Sequence, residues 1–128
     1  MRYSYKKNLD LSFFEAVEKT KKELTNEGFG VLTEINLKST LKSKLGVDYP
    51  ECVILGACNP QFAYSSLLAE NGISLFLPCN VVVQEEENQI SVSTILPMVL
   101  AKVIGNRKLA KISKIVESKL KKVVDNVS

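Results

Sequence analysis

Two Cys-Asn pairs carry the residue types that could do chemistry in this sequence. Cys58-Asn59 ends one apolar run, and Cys79-Asn80 lies within a second apolar run, residues 73–84. Thiolates are nucleophiles, and they are also ligands for soft metals such as zinc or Cu(I). If the two runs form neighbouring strands, the two thiols come close enough to face each other.

Four interpretations of the two pairs compete. The cysteines could be small core residues, since Cys is among the most buried residue types. They could form a thiol site, with a reactive Cys58 and Cys79 as its resolving partner. They could bind a soft metal through Cys58 and Cys79, with a carboxylate or a partner chain completing the shell. Finally, backbone amides at a helix start beside Cys58 could hold a small ligand such as an anion.

From these interpretations we predict a small-ligand or soft-metal binding module centred on Cys58, Asn59, Cys79 and Asn80. The metal, if there is one, would be zinc or another soft metal bound by Cys58 and Cys79. Two alternatives stay open. One is a thiol-based redox enzyme or sensor, and the other is a homodimeric interaction protein with no small-molecule site.

The composition excludes several chemistries. The chain of 128 residues contains no histidine, which rules out Ser-His and Cys-His nucleophilic pairs and histidine metal ligands. Its three cysteines cannot form a complete disulfide framework. We recognise no catalytic constellation, so we favour a protein that is not an enzyme. The length predicts one domain spanning residues 1–128.

Partners and location follow from hydropathy and charge. No apolar run approaches the roughly 20 residues that a membrane-spanning helix needs, and the first residues lack an apolar signal core, so we expect a cytoplasmic protein. From Lys102 onward, eight Lys or Arg residues stand against Glu117 and Asp125. A basic segment can attract nucleic acid, but such lysines are more often the solvated face of an amphipathic helix, so we do not expect a nucleic-acid partner.

The elements around the two pairs are predicted from periodicity and capping residues. Residues 51–57 are short and apolar, which indicates a buried strand. Asn59 and Pro60 then suit the N-cap and first position of a helix, whose positive end would stabilise a thiolate at Cys58. Residues 73–84 and 89–96 predict two strands of an antiparallel hairpin. Cys52 lies near the start of its strand, and we expect it to be less enclosed than Cys58.

Three helices are predicted outside the two runs. Ser12 and Glu15 fit a capping box that begins a helix over residues 12–27. A stripe of Leu37, Leu41 and Leu45 predicts a short helix with an inward-facing leucine side. A longer apolar stripe runs through the last helix at Leu109, Ile112, Val116, Leu120, Val123 and Val127. The resulting order of strands and helices is an α+β plan.

Four ordered blocks of this sequence resemble the signature blocks of the DUF302 family. They are Gly-Phe-Gly-Val-Leu-Thr-Glu-Ile, Leu-Lys-Ser-Lys-Leu-Gly, Ile-Leu-Gly-Ala-Cys-Asn-Pro and Leu-Pro-Cys-Asn-Val-Val-Val, at residues 28–35, 41–46, 54–60 and 77–83. The resemblance implies an α+β fold of the TATA-binding-protein-like class. In that fold, helices pack on a curved, mainly antiparallel sheet of about five strands and a long helix closes the chain. It also implies a homodimer, and it carries no settled biochemical activity.

Overall fold

A computed structural model describes residues 2–128. The elements in chain order are β1 (Ser4–Leu9), α1 (Phe13–Asn26), β2 (Gly30–Asn36), α2 (Leu37–Leu45), β3 (Cys52–Cys58), α3 (Pro60–Ala69), a 3-10 segment (Asn71–Phe76), β4 (Cys79–Glu86), β5 (Gln89–Ile95), α4 (Pro97–Ile104) and α5 (Arg107–Asn126). Across residues 2–128, no helix combines the length and the apolar character needed to cross a bilayer.

The five strands form one open sheet in the order β1-β5-β4-β3-β2. Each pair of neighbouring strands is antiparallel. The predicted hairpin is present as β4 and β5, joined by a turn at Glu87 and Asn88, both of which have positive φ. The α+β class, the antiparallel sheet and the long C-terminal helix are therefore confirmed.

One face of the sheet is covered by α1 and α5. Directly paired residues such as Leu55 and Val81 point to the same side, so the odd-numbered positions of β3 and β4 form a continuous apolar surface. The buried stripe of α5 packs on this surface, with Leu120 and Val123 fully enclosed. The predicted apolar stripe of the last helix is thus confirmed. Because this face is buried and its pairing alternates strictly, a one-residue slip of either strand would expose the core.

The start of α1 also follows its prediction. The Ser12 side chain accepts a hydrogen bond from the Glu15 amide at 3.2 Å, and the Glu15 side chain accepts one from the Ser12 amide, which completes the capping box. The hydrogen bonds with Ser12 also lower the pKa of the Glu15 carboxyl. Two otherwise unpaired amides of the first turn are satisfied in this way.

A second, smaller apolar cluster lies where the sheet ends. It is centred on Ile73 from the 3-10 segment, Ala101 from α4 and Leu109 from α5. Residues Leu67 and Leu77 pack against it. This cluster holds α4 and the 3-10 segment beside the ends of β3 and β4.

The predicted strand over residues 73–84 is wrong in its first half. Residues 71–76 form the 3-10 segment, and the strand begins only at Cys79. Pro78 has no amide hydrogen to donate to a ladder, which favours a strand start after it. Before Pro78, Ile73 is buried whereas Leu75 is 85% exposed, so the apolar run does not have the two-sided burial of a central strand.

The prediction that the leucines of α2 face the interior is also wrong. The helix is present at the predicted residues and ends at Gly46 in the left-handed conformation, but none of its residues is buried, and Leu45 is 70% exposed. The helix directly follows β2, which is an edge strand, and it finds little surface to pack on.

Candidate functional site

The four predicted site residues lie together at one end of two neighbouring strands. Cys58 is the last residue of β3, and Cys79 and Asn80 are the first two residues of β4. The register pairs Ala57 with Cys79, which brings Cys58 within one position of Cys79 across the ladder. The sequence-based condition that the two runs be neighbours is therefore met.

A small, partly open cavity of about 50 Å³ lies beside these residues. Three of the four predicted residues border it, namely Cys58, Asn59 and Cys79. Its other walls come from the end of the sheet, α3, the 3-10 segment, α4 and α5. These walls are mostly aliphatic and aromatic: Phe29, Ala57, Phe62, Ala63, Ser66, Ile73, Phe76, Leu77, Pro97, Leu100, Leu109, Ser113 and Val116.

The Cys79 thiol faces the apolar side of this cavity. It shares the sheet face of Val81, which α1 and α5 cover, and it packs against the main core. Burial raises the pKa of Cys79 to about 11, and the neighbouring Cys58 adds a smaller increase. At neutral pH the Cys79 thiol is therefore protonated, which makes it a poor nucleophile and a weak polar group.

Asn59 occupies the predicted N-cap position of α3, but its side chain does not cap the helix. The Asn59 side-chain amide instead donates a hydrogen bond to the Glu27 carbonyl oxygen at 3.4 Å. Gly28 follows Glu27 with a φ of +85°, and a Cβ there would lie 3.1 Å from Asn59 Nδ2. Asn59 thus ties the start of α3 to the turn after α1, and Pro60 at the first helical position is as predicted.

The two cavity cysteines are close neighbours, and neither forms a disulfide. Cys79 pairs directly with Ala57, so Cys58 is one position away across the ladder, and both side chains border the same cavity. A disulfide requires Cβ atoms that approach to about 4 Å with the correct dihedral angle. All three cysteines are free thiols in the described residues.

The expectation for Cys52 is wrong. Cys52 is buried with an exposed fraction of 5%, whereas Cys58 is only half-buried. The Cys52 thiol lies 3.8 Å from Gln84 Oε1, its partner in the β3–β4 ladder. Burial, and to a smaller extent Glu86, raises the pKa of Cys52. Cys52 lies at the opposite end of β3 from Cys58 and takes no part in the cavity.

A closed metal shell is not formed by the described chain. Among residues 2–128, no group of three or more Cys, His, Asp or Glu side chains is close enough to hold an ion. Structural zinc sites use four protein ligands. A soft metal bound by Cys58 and Cys79 would therefore need ligands from outside this chain, and that hypothesis stays a prediction.

Sequence reasoning missed the cavity walls contributed by the helices. Phe62, Leu100 and Ser113 come from α3, α4 and α5, which are far apart along the chain. Apolar residues at helical spacing marked α3 and α5 as packed helices. Nothing in the spacing shows that their inner sides converge on the same end of the sheet.

The fold and the site together define a two-layer α+β protein: an antiparallel sheet with helices on one face and an apolar cavity at one end. The family model described as "Domain of unknown function DUF302" matches residues 5–127. The chain therefore belongs to the DUF302 family, which confirms the resemblance seen in the sequence.

A solved structure shares this architecture over its whole length. The crystal structure of an uncharacterized conserved DUF302 protein from Bacillus stearothermophilus superposes with a TM-score of 0.94 and 29% sequence identity, covering 100% of both chains. No curated protein matches the chain.

Proposed function

We propose that this chain is a binding module for a small, uncharged, mostly apolar molecule that occupies the cavity beside Cys58 and Cys79. The observation that carries the proposal is the lining of that cavity, which is dominated by aliphatic and aromatic side chains and contains no Lys, Arg, Asp or Glu. Small-ligand sites are typically apolar clefts with a few polar groups that orient the ligand. Here Asn59, Ser113 and the protonated Cys79 thiol are those groups.

The lining also disfavours charged ligands and thiol reactions in the cavity. An anion or a cation in this cavity would lose its hydration and meet no opposite charge, which is strongly unfavourable. The anion version of the sequence-based hypothesis therefore loses support. A thiol-based reaction at Cys79 loses support as well, because the high pKa leaves little thiolate at neutral pH. A cytoplasmic location remains part of the proposal as predicted from the sequence.

Xenon is a suitable probe because it is uncharged and enters dry apolar cavities. We expect dissolved xenon to shift the backbone amide NMR signals of residues around the cavity, including Ala63 and Ser113. The variant Ser113→Leu fills the cavity from α5 and should abolish these shifts. Its matched control is Ser118→Leu, which makes the same change at an exposed position of the same helix and should leave the shifts intact.

The proposal is wrong if xenon shifts none of the cavity signals in the wild type. It is equally wrong if the shifts survive unchanged in Ser113→Leu, because the bound gas would then lie elsewhere. A circular-dichroism melt of both variants verifies that each is folded before binding is compared.

A second candidate function, homodimerisation, is favoured by the unequal edges of the sheet. The β1 edge carries Lys6 and Lys7, and lysines on an edge discourage strand pairing with another molecule. The β2 edge has no lysine and exposes Leu32 and Ile35 at 66% and 45%. Its single charged residue, Glu34, is neutralised within the chain by Lys21.

We therefore propose that a second copy of this chain pairs with the β2 edge. Antiparallel pairing of β2 with itself about a two-fold axis is self-complementary. Sedimentation equilibrium should show a dimer that Ile35→Lys converts to a monomer, whereas Ser4→Lys on the β1 edge leaves it intact. A wild-type monomer at high micromolar concentration would contradict this proposal.

A further inference from the structure

A wider groove of about 290 Å³ adjoins this cavity. It is formed by the 3-10 segment, the start of β4, the end of β5 and the first turn of α4. Five residues border both spaces and form the wall between them: Phe76, Leu77, Cys79, Pro97 and Leu100. Asn80, the fourth residue predicted from the sequence, lies in this groove rather than in the cavity.

The groove shares the chemical character of the cavity. Its remaining lining residues are Leu75, Pro78, Asn80 and Ile95, so neither space is lined by a charged side chain. This is notable in a chain in which 24% of all residues are charged. A molecule that lies along both spaces therefore meets apolar surface throughout, with amide and thiol groups as its polar contacts.

The size of the cavity restricts the shape of the ligand group that can enter it. An engineered apolar cavity of about 150 Å³ is known to hold a benzene ring. The cavity here is about 50 Å³, which is too small for a ring but large enough for the last few carbon atoms of a slim chain. The groove outside has room for the rest of such a molecule, since typical ligand sites begin at about 300 Å³.

We infer that the cavity and the groove form one elongated site for the unbranched aliphatic chain of an uncharged molecule, whose end enters the cavity beside Cys79. This inference rests on the proposed binding function and adds the ligand class. The outer rim of the site supports it, because Leu75 and Phe76 are 85% and 45% exposed. An aliphatic chain in the groove would cover these two side chains, which the fold otherwise leaves in water.

The 3-10 segment is the element that must move when the aliphatic chain of a ligand passes from the groove into the cavity. Ile73 is its only buried residue, so most of the segment is in contact with water. Leu100 and Pro97 on the opposite side belong to α4, which packs on α5. We therefore expect the wall between the groove and the cavity to open by movement of Phe76 and Leu77 rather than of α4.

A series of straight-chain alcohols from butanol to decanol tests the inference, with binding followed by amide NMR shifts. Each added methylene that leaves water should lower the dissociation constant about fourfold, until the site is full. Decanoate, which has the same chain length as decanol but carries a charge, should bind at least tenfold more weakly. A dissociation constant that does not change with chain length would overturn the inference.

Two exposed leucines provide matched variants. Leu75→Glu places a carboxylate at the rim of the groove, and Leu68→Glu makes the same change on α3 at a residue that borders neither space. Decanol binding should weaken at least tenfold in Leu75→Glu and stay unchanged in Leu68→Glu. Equal binding by Leu75→Glu and the wild type would overturn the inference.

Xenon binding distinguishes a failure of the aliphatic-chain inference from a failure of the proposed binding function. Leu75→Glu should still bind xenon, because its change lies outside the cavity. Xenon binding without dependence on alcohol length refutes the aliphatic-chain inference and leaves the binding function standing. Absence of xenon binding in the wild type refutes the proposed function itself.

Discussion

The Cys79 thiol should make the protein less stable at alkaline pH. Its pKa in the folded chain is about 11, against an ordinary value of 9.0, because burial disfavours the thiolate. As pH rises above 9, the unfolded chain releases this proton while the folded chain keeps it. The stabilisation is therefore fully present below pH 9, and it is lost as pH rises through 11.

The size of the effect follows from the two pKa values. At a pH high enough to ionise Cys79 in both the folded and the unfolded chain, the free energy of unfolding is lower by on the order of 2–3 kcal/mol than below pH 9. At pH 10 the unfolded chain is mostly ionised and the folded chain mostly protonated, so the loss there is on the order of 1 kcal/mol. A difference of this size is readily resolved by denaturant unfolding.

Urea unfolding at pH 7.5 and pH 10 measures the loss in three proteins. Between these pH values, Cys79→Ala should lose on the order of 1 kcal/mol less unfolding free energy than the wild type, because the titrating group is gone. Val81→Ala is the matched control, since it removes a buried side chain from the same face of β4 without removing a thiol. Cys52, whose pKa is also raised, is present in all three proteins and cancels. Equal losses in Cys79→Ala and the wild type would refute the description of a buried, apolar thiol.

Three further changes test the packing and capping of the fold. Leu120→Ala should lower the unfolding free energy by about 2–5 kcal/mol, because Leu120 is fully buried between α5 and the sheet; a loss under 1 kcal/mol by urea unfolding would contradict this. Gly56→Ala should lower the melting temperature, because its Cβ would lie 2.1 Å from Thr33 Oγ1, and an unchanged melting temperature would show that the strands separate easily. Ser12→Ala should cost about 1 kcal/mol in urea unfolding through loss of the capping box, and adding Glu15→Gln should cost little more.

Where a local rule is decided by a few neighbouring residues, sequence and structure agree in most cases, and the exception is Asn59, whose side chain does not cap α3. The capping box at Ser12, the helix start at Pro60 and the left-handed helix end at Gly46 all depend on contacts within one turn. The alternating hairpin and the long stripe of α5 agree for the same reason, because hydrophobic periodicity directly reports which side of an element is covered.

The predictions and the structure disagree where the outcome depends on which other element packs against the predicted one, because the sequence pattern does not show this. The leucines of α2 have the spacing of a buried stripe, but α2 follows an edge strand and stays exposed. The apolar residues 73–77 were compatible with a strand, and packing of Ile73 against Ala101 and Leu109 selects a 3-10 turn instead. A short apolar run does not by itself distinguish these outcomes.

The sequence by itself determined the family and the α+β class. It could do so because these features depend on local periodicity, capping residues and four ordered blocks. Only the tertiary structure decided that β3 and β4 are neighbours, which brings Cys58, Asn59 and Cys79 to one end of the sheet. It also decided that this end holds an apolar cavity, that Asn80 lies outside it and that the Cys79 thiol is protonated at neutral pH. Those properties depend on how α3, α4 and α5 converge, since enclosure and desolvation arise from contacts between residues far apart in the chain.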